Sequence, residues 1–381
     1  MLQILIEQKG GIKMNTRTKF TWMIFSCFFS LMHFNVDAKT LIHAGKLIDG
    51  KSDQVYSRMS IVIEGNLIED VREGFLSAND YEKYIDLSNH TVMPGLMDMH
   101  VHFGGEYQSK AEAPLKVERE MEAILATQHA VVTFKSGFTT VRQVGDSGLV
   151  AISLRDAINA GKVVGPRIFA AGKTIATTGG HADPTNGKAL YDYSYPVPEQ
   201  GVVNGPYEVY AAVRQRYKDG ADGIKITVTG GVLSQAKSGD NPQFTQEEVD
   251  AVVSAAKDYG MWVAVHAHGA EGMKRAIKAG VDSIEHGTFM DDEAMDLMIE
   301  NGTYYVPTIS AGEFVAEKAK IEFSSRDQTD IKIPIIKYGM NFLISNLLET
   351  DDKKENDFFG NELLLNLNLK EVYIDEIHFV N

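Results

Sequence analysis

An α/β fold, a (β/α)8 TIM-type barrel behind a small N-terminal β domain, is predicted by three features of the 381-residue sequence. Short alternating runs between residues 39 and 93, separated by turn residues, read as strands of a small sheet or β-sandwich. Beyond Pro94, strand-like apolar runs alternate with helical segments, as repeated βα units on a parallel sheet require. The polar residues least expected in such runs fall at their C-terminal ends, the rim where barrels of this type carry their active sites.

Residues 1–38 read as an upstream extension and a signal peptide. Met14 is the natural start, and Arg17 and Lys19 precede an apolar stretch from Phe20 to Phe34. Val36 and Ala38 are the small residues before a cut ahead of Lys39. A membrane anchor would begin in the same way, but the stretch is shorter than the ~20 residues needed to span a bilayer. The expectation is export to the periplasm or the medium, with no stable membrane span after cleavage. The single cysteine, Cys27, lies in this segment, which excludes an intrachain disulfide framework and a cysteine-cluster metal site. Net charge is −15 and there is no basic stripe, so neither nucleic acid nor an anionic membrane surface is an expected partner.

Residues 39–93 form the predicted small β domain, from the runs "TLIHAGKLIDG", "SRMSIVIEGNLIEDV" and "KYIDLSNHTVMPG". Its strands are expected to be antiparallel, with turns at Gly50 to Asp53 and at Gly65-Asn66. Residues 94–320 supply seven barrel strands: "LMDMHVHF", "FTTVRQV", "PRIFAAG", "GIKITVTGG", "WVAVHAHG", "DSIEHG" and "TYYVPT". Between them, "TQEEVDAVVSAAKDYG" has Thr245 as N-cap, Glu248 at the capping-box position and Gly260 as its stop. "AEGMKRAIKAG" is a second clear helix. Seven strands leave the barrel one short of eight. An open barrel exposes strand edges, so the chain is expected to be poorly soluble or to form a homo-oligomer.

Two histidines one residue apart at a strand end, His100 and His102, project to the same face. Together they make a metal pincer, although a pair of satisfied core or surface histidines has the same spacing. His266 and His268 end "WVAVHAHG" and His286 ends "SIEHG". Lys225 sits inside the apolar strand "GIKITVTGG". Burial as an ammonium ion would be costly, so its pKa should fall and the neutral amine become available to add carbon dioxide. A lysine reaching the surface, or paired with a carboxylate, is the alternative.

The motifs "VMPGLMDMHVH", "GFTTVRQVGD", "GPRIFAAGKTIATTGGHAD", "ADGIKITVTGGVLS", "VAVHAHGAEG", "GVDSIEHGTFMDDEAM" and "YYVPTISAGEF" occur in this order. On them the chain resembles the amidohydrolase superfamily, in the branch near imidazolonepropionase-like enzymes and Xaa-Pro-type dipeptidases. The resemblance implies two divalent metal ions, zinc by the donor types, with His100 and His102 on one and His266 and His286 on the other. It further implies a carboxylated Lys225 bridging them. His181 and His268 take substrate-contacting places, and Arg142 a supporting one. Gln143 stands where relatives carry an acid.

The activity implied is hydrolysis of the amide bond of a dipeptide or an N-acyl amino acid through a metal-bridging hydroxide. Imidazolonepropionase, lactone or phosphotriester hydrolysis is the alternative within the enzyme class. Relatives also carry an aspartate after the eighth strand, in a Gly-Thr-Asp motif that is missing here. Residues 321–381 shift in composition toward Ile, Leu, Asn, Lys and Asp. Asp351 and Glu362 are weak candidates for the missing acid. An inactive, truncated remnant that still binds metal is therefore the competing expectation.

Overall fold

The computed structural model describes residues 39–105, 119–146, 148–187, 195–231 and 238–323. The predicted leader, Cys27, Asp351 and Glu362 lie outside the described residues. Two compact units are present, one formed by residues 39–48 and 55–92, the other by 49–54 and the residues from Met93 onward.

The first unit is a four-stranded sheet in the order β3-β2-β1-β4. Its strands are β1 (Lys39–Ile48), β2 (Val55–Glu64), β3 (Leu67–Glu73) and β4 (Lys83–Val92). β1 pairs antiparallel with β2, and β2 with β3 through the two-residue Gly65-Asn66 turn. β4 departs from the antiparallel expectation and runs parallel to β1. The reason is the connection after β3, which includes a short 3-10 turn at Ala78–Asp80 and brings the chain back to the starting edge. Among the described residues of this unit there is one sheet, and the second layer of a sandwich is not seen.

The second unit alternates strand and helix, and each of the seven strands read from the sequence is present. They are β5 (Leu96–Val101), β6 (Phe138–Gln143), β7 (Arg167–Ala170), β10 (Gly223–Thr227), β11 (Trp262–Gly269), β12 (Ser283–Phe289) and β13 (Tyr304–Val306). The helices are α1 (Arg119–Lys135), α2 (Val150–Asn159), α3 (Pro206–Lys218), α4 (Gln246–Asp258), α5 (Ala270–Ala279), α6 (Asp292–Asn301) and α7 (Ile309–Phe323). Two minimal strands not read from the sequence, β8 (Ala176–Thr177) and β9 (Val202–Val203), pair with each other.

Parallel ladders join β5-β6-β7 and β10-β11-β12-β13. The two arcs meet where Asp222 N donates to Ala170 O at 2.7 Å and Ile175 N to Lys225 O at 2.8 Å. No ladder joins β13 to β5 among the described residues, so the ring of eight expected from the sequence is present there as an open arc.

Strand alternation separates core from site. Ile224 and Ile226 of β10 are fully buried against a cluster that includes Val209 and Val213 of α3 and Val249 and Val252 of α4. Burial of each such side chain contributes about 1.5–3 kcal/mol. Lys225 and Thr227 take the other face of the strand. α4 keeps its predicted start: Thr245 Oγ1 accepts from Glu248 N, and Glu248 returns the bond to Thr245 N at 2.8 Å.

Candidate metal and hydrolytic site

β5 delivers His100 and, one residue past its end, His102 to the C-terminal rim. Their inner ring nitrogens are both occupied: His100 Nδ1 lies 2.8 Å from Glu285 Oε2, and His102 Nδ1 lies 2.8 Å from the Gly145 carbonyl. A carbonyl only accepts, so His102 Nδ1 carries the proton. Glu285 is held below the usual carboxylate range by His100, Lys225 and Arg142, which outweigh the upward push of its burial. His100 Nδ1 is therefore also a donor. Both Nε2 atoms are left as lone pairs, and they face each other at 3.2 Å.

Two acceptors at that distance repel unless a cation lies between them. Burial, reinforced by the charge of Lys225, pushes His100 down to about 4, which excludes an imidazolium at neutral pH. Two Zn–N bonds near tetrahedral geometry place their nitrogens about 3.3 Å apart, so the pair fits a metal ion. A carboxylate and a carbonyl behind the liganding imidazoles are the outer support such histidines need.

Glu285 has no exposed side-chain surface. Its Oε1 accepts from Arg142 Nη2 at 2.5 Å and from Ser283 Oγ at 2.6 Å, while Arg142 Nε donates to Met99 O at 2.8 Å. Arg142 thus links β6 to β5 and β12, and its supporting place agrees with the sequence expectation. Gln143 replaces an acid without leaving a gap. Its Oε1 accepts from Phe103 N at 2.9 Å and its Nε2 donates to Gly145 O at 3.2 Å, steadying the carbonyl that orients His102.

The remaining imidazoles gather around the same point. His286 lies 5.0 Å from His100 and 4.6 Å from His266, ring centre to ring centre, and His268 lies 4.7 Å from His266. His266 Nε2 donates to Gly230 O at 3.0 Å, which leaves Nδ1 as its acceptor. His268 Nδ1 meets Thr288 Oγ1, and His286 Nδ1 meets Thr308 Oγ1, each at 2.7 Å. Burial drives both His266 and His286 well below the ordinary imidazole value, so both are neutral donor groups at physiological pH.

His286 and Thr308 each adopt positive φ, +73° and +49°. For side chains other than glycine such backbone is uncommon and costs about 1–3 kcal/mol. At His286 it has a use, because it breaks the alternation of β12: adjacent residues Glu285 and His286 both reach His100.

His181 stacks on His266 with ring centres 4.3 Å apart. Its Nδ1 is buried without a hydrogen-bond partner among the described residues, and burial lowers its pKa to about 4. Gly231 makes room for the ring; a Cβ there would sit 2.2 Å from His181 Cε1.

Lys225 is 4% exposed, and its burial lowers the amine to about 8. Its charge, after burial, helps to lower all six histidines of the cluster. The shift has the direction expected from the sequence, with the ammonium still the major form at neutral pH. No three His, Cys, Asp or Glu side chains among the described residues form a ready-made metal cage. A donor from Lys225 would add to the histidine pairs.

Several residues of the site went unread in the sequence: Glu285, Ser283, Gly145, Thr227 and Thr308. Glu285 carried the same signal as Lys225, a charge inside an apolar strand. Thr227 Oγ1 is buried and lacks a hydrogen-bond partner among the described residues.

The amidohydrolase family model matches residues 91–369. Ochratoxinase of Aspergillus niger is 32% identical over 293 residues, covering 72% of this chain and 59% of that protein. The chain therefore spans about three-fifths of the length of that relative. A crystal structure of a Xaa-Pro dipeptidase with bound methionine in the active site superposes with a TM-score of 0.74 at 89% identity, covering 75% of this chain and 70% of that one. The crystal structure of A. niger ochratoxinase gives a TM-score of 0.65 at 30% identity, covering 74% and 67%. A prolidase complexed with N-methylphosphonate-L-proline gives 0.67 at 29% identity, covering 81% and 75%. This chain belongs to the amidohydrolase family.

Proposed function

We propose that this chain is a metal-dependent amidohydrolase that cleaves the amide bond of Xaa-Pro and related dipeptides, with N-acyl amino acids as a second substrate class. The observation that carries the reading is the facing pair of Nε2 lone pairs on His100 and His102, set up by Glu285 and Gly145. The 89% identity to a Xaa-Pro dipeptidase supports the substrate class.

His100 and His102 would hold one divalent cation and His266 and His286 the other, with Lys225 between them. When bound, two such cations lower the pKa of water and polarise a scissile carbonyl. Lys225 contributes first as an amine: its nitrogen lone pair adds to the carbon of carbon dioxide and one proton leaves to solvent, giving an anionic carbamate. Arg142 balances the charge of Glu285, so that the carboxylate stays ionised and keeps a proton on His100 Nδ1. His181 and His268 are the groups we assign to the substrate. The Arg17 and Lys19 flanked apolar segment supports export, so the reaction is placed in the periplasm or the medium.

The test is to strip the protein of metal, reload it with zinc, manganese or cobalt in the presence of bicarbonate, and assay Met-Pro, further Xaa-Pro dipeptides and N-acetyl amino acids. Release of the free amino acid is expected. Metal uptake without hydrolysis of any of these would overturn the reading in favour of an inactive metal-binding relative.

A further inference from the structure

Between β7 and α3 the chain makes a long excursion that carries His181 to the histidine cluster. Its outward limb starts at Lys173 and its return limb reaches Glu199, and the carbonyls of both are met by one side chain, Arg216 of α3. Arg216 Nε donates to Lys173 O at 2.7 Å, and Nη1 and Nη2 both donate to Glu199 O at 3.4 Å. The two limbs also touch there. Ala176 N donates to Gly201 O at 2.8 Å, and a Cβ on Gly201 would lie 2.3 Å from Thr174 O and 3.2 Å from Arg216 Nη2.

Charge pairing does not account for a cation at this place. Arg216 is 1% exposed, and the carboxylate it reaches, Asp219 Oδ2, is 3.4 Å away and partly open to solvent. Burial outweighs the pull of Asp219, Asp146 and Glu199 and lowers the guanidinium from its ordinary value. An incompletely compensated buried cation is a poor source of stability. Its planar fork of fixed donors, however, suits holding separate acceptors in one geometry.

Between its ends the excursion is tied to itself and to the site. Asp183 accepts from Gly179 N at 2.8 Å and from Thr185 N at 2.9 Å, and Gly180 N donates to Thr177 O at 2.8 Å. Ile175 N donates to Lys225 O and His181 N to Gln243 Oε1, each at 2.8 Å. A loop bonded within itself moves as a piece, so where its ends are fixed decides where His181 stands over His266, with ring centres 4.3 Å apart.

We propose that Arg216 is a positioning residue: by clamping the Lys173 and Glu199 carbonyls it holds the His181 imidazole where substrate meets it. The inference rests on the hydrolase reading above, in which His181 contacts the substrate, and extends that reading to a residue outside the histidine cluster. A loop whose two ends hang on one rigid fork has lost its conformational freedom before substrate arrives, and that preorganisation favours binding.

The test uses the full zinc-loaded chain and its Arg216→Met and Arg216→Lys variants, each with and without His181→Ala. Lysine keeps the charge but replaces the fork by a single point donor, so it reads the clamp even if methionine prevents folding. Amide hydrogen exchange in residues 174–187 should accelerate at least about 10-fold in Arg216→Met and in the same direction in Arg216→Lys, with α6 unchanged. KM for Met-Pro should rise about 10-fold in Arg216→Met, with no further rise where His181 is already alanine. Acceleration spread evenly over the chain, no acceleration, or an equal KM rise with and without His181 would overturn the clamp, while hydrolysis of Met-Pro by wild type keeps the hydrolase reading. If acceleration is confined to 174–187 but wild type does not hydrolyse Met-Pro, the clamp on the loop stands and the hydrolase reading fails.

Discussion

His100 Nε2 and His102 Nε2 face each other across 3.2 Å with their protons fixed on the opposite ring nitrogens. This pair costs energy in the metal-free protein and gains it when a cation binds. Zinc at 1,000 times its dissociation constant should therefore stabilise the protein by about 4 kcal/mol, read as a rise in Tm. His102→Ala should remove most of that rise. An identical zinc response in wild type and variant would refute the assignment of the pair.

Glu285 connects the metal pair to the rest of the fold. Glu285→Gln keeps the volume but leaves the buried Arg142 guanidinium without its counter-charge, a loss of about 3–5 kcal/mol in stability. Metal affinity should fall about 10- to 100-fold as His100 loses its ionised partner. Denaturant unfolding and zinc titration read the two effects separately. Retention of both would show that His100 is oriented by something else.

Lys225 gives the metal-free protein a distinctive pH dependence. Its folded-state pKa of about 8 lies below the ordinary 10.5. Between these values the unfolded chain binds more protons, so stability rises with pH, by a total of about 3 kcal/mol. Lys225→Met should flatten this rise. On the acid side, His100 and His181, both near 4 against an ordinary 6.5, make stability fall as pH drops from 6.5 toward 4. Urea unfolding at a series of pH values checks both arms.

Thr227 offers an opposite outcome. A buried hydroxyl without a partner costs about 1–3 kcal/mol, so Thr227→Val should stabilise the metal-free protein by about 1 kcal/mol. A loss of stability instead would mean that the hydroxyl has a partner.

Much of this was readable in the chain. The His-x-His spacings of His100/His102 and His266/His268 and the lysine buried in "GIKITVTGG" located the cluster, because period-2 alternation fixes which residues share a face. Thr245 and Glu248 fixed the start of α4 for an equally local reason. What could not be read depended on tertiary contacts. The parallel pairing of β4 with β1 follows from a crossover that periodicity does not encode. Alternation would also have sent Glu285 and His286 to opposite faces, and the positive φ of His286 brings both to His100. Gln143 read as the loss of an acid, yet its amide does the work of orienting Gly145.

The most direct test of the two-metal account is a crystal structure of the zinc-loaded protein with diffraction recorded at the zinc edge. The account predicts two anomalous peaks per chain, one touching His100 Nε2 and His102 Nε2 and one touching His266 and His286, with extra density continuous from Lys225 Nζ to both. A single peak, or two peaks beside an unmodified Lys225, would contradict it.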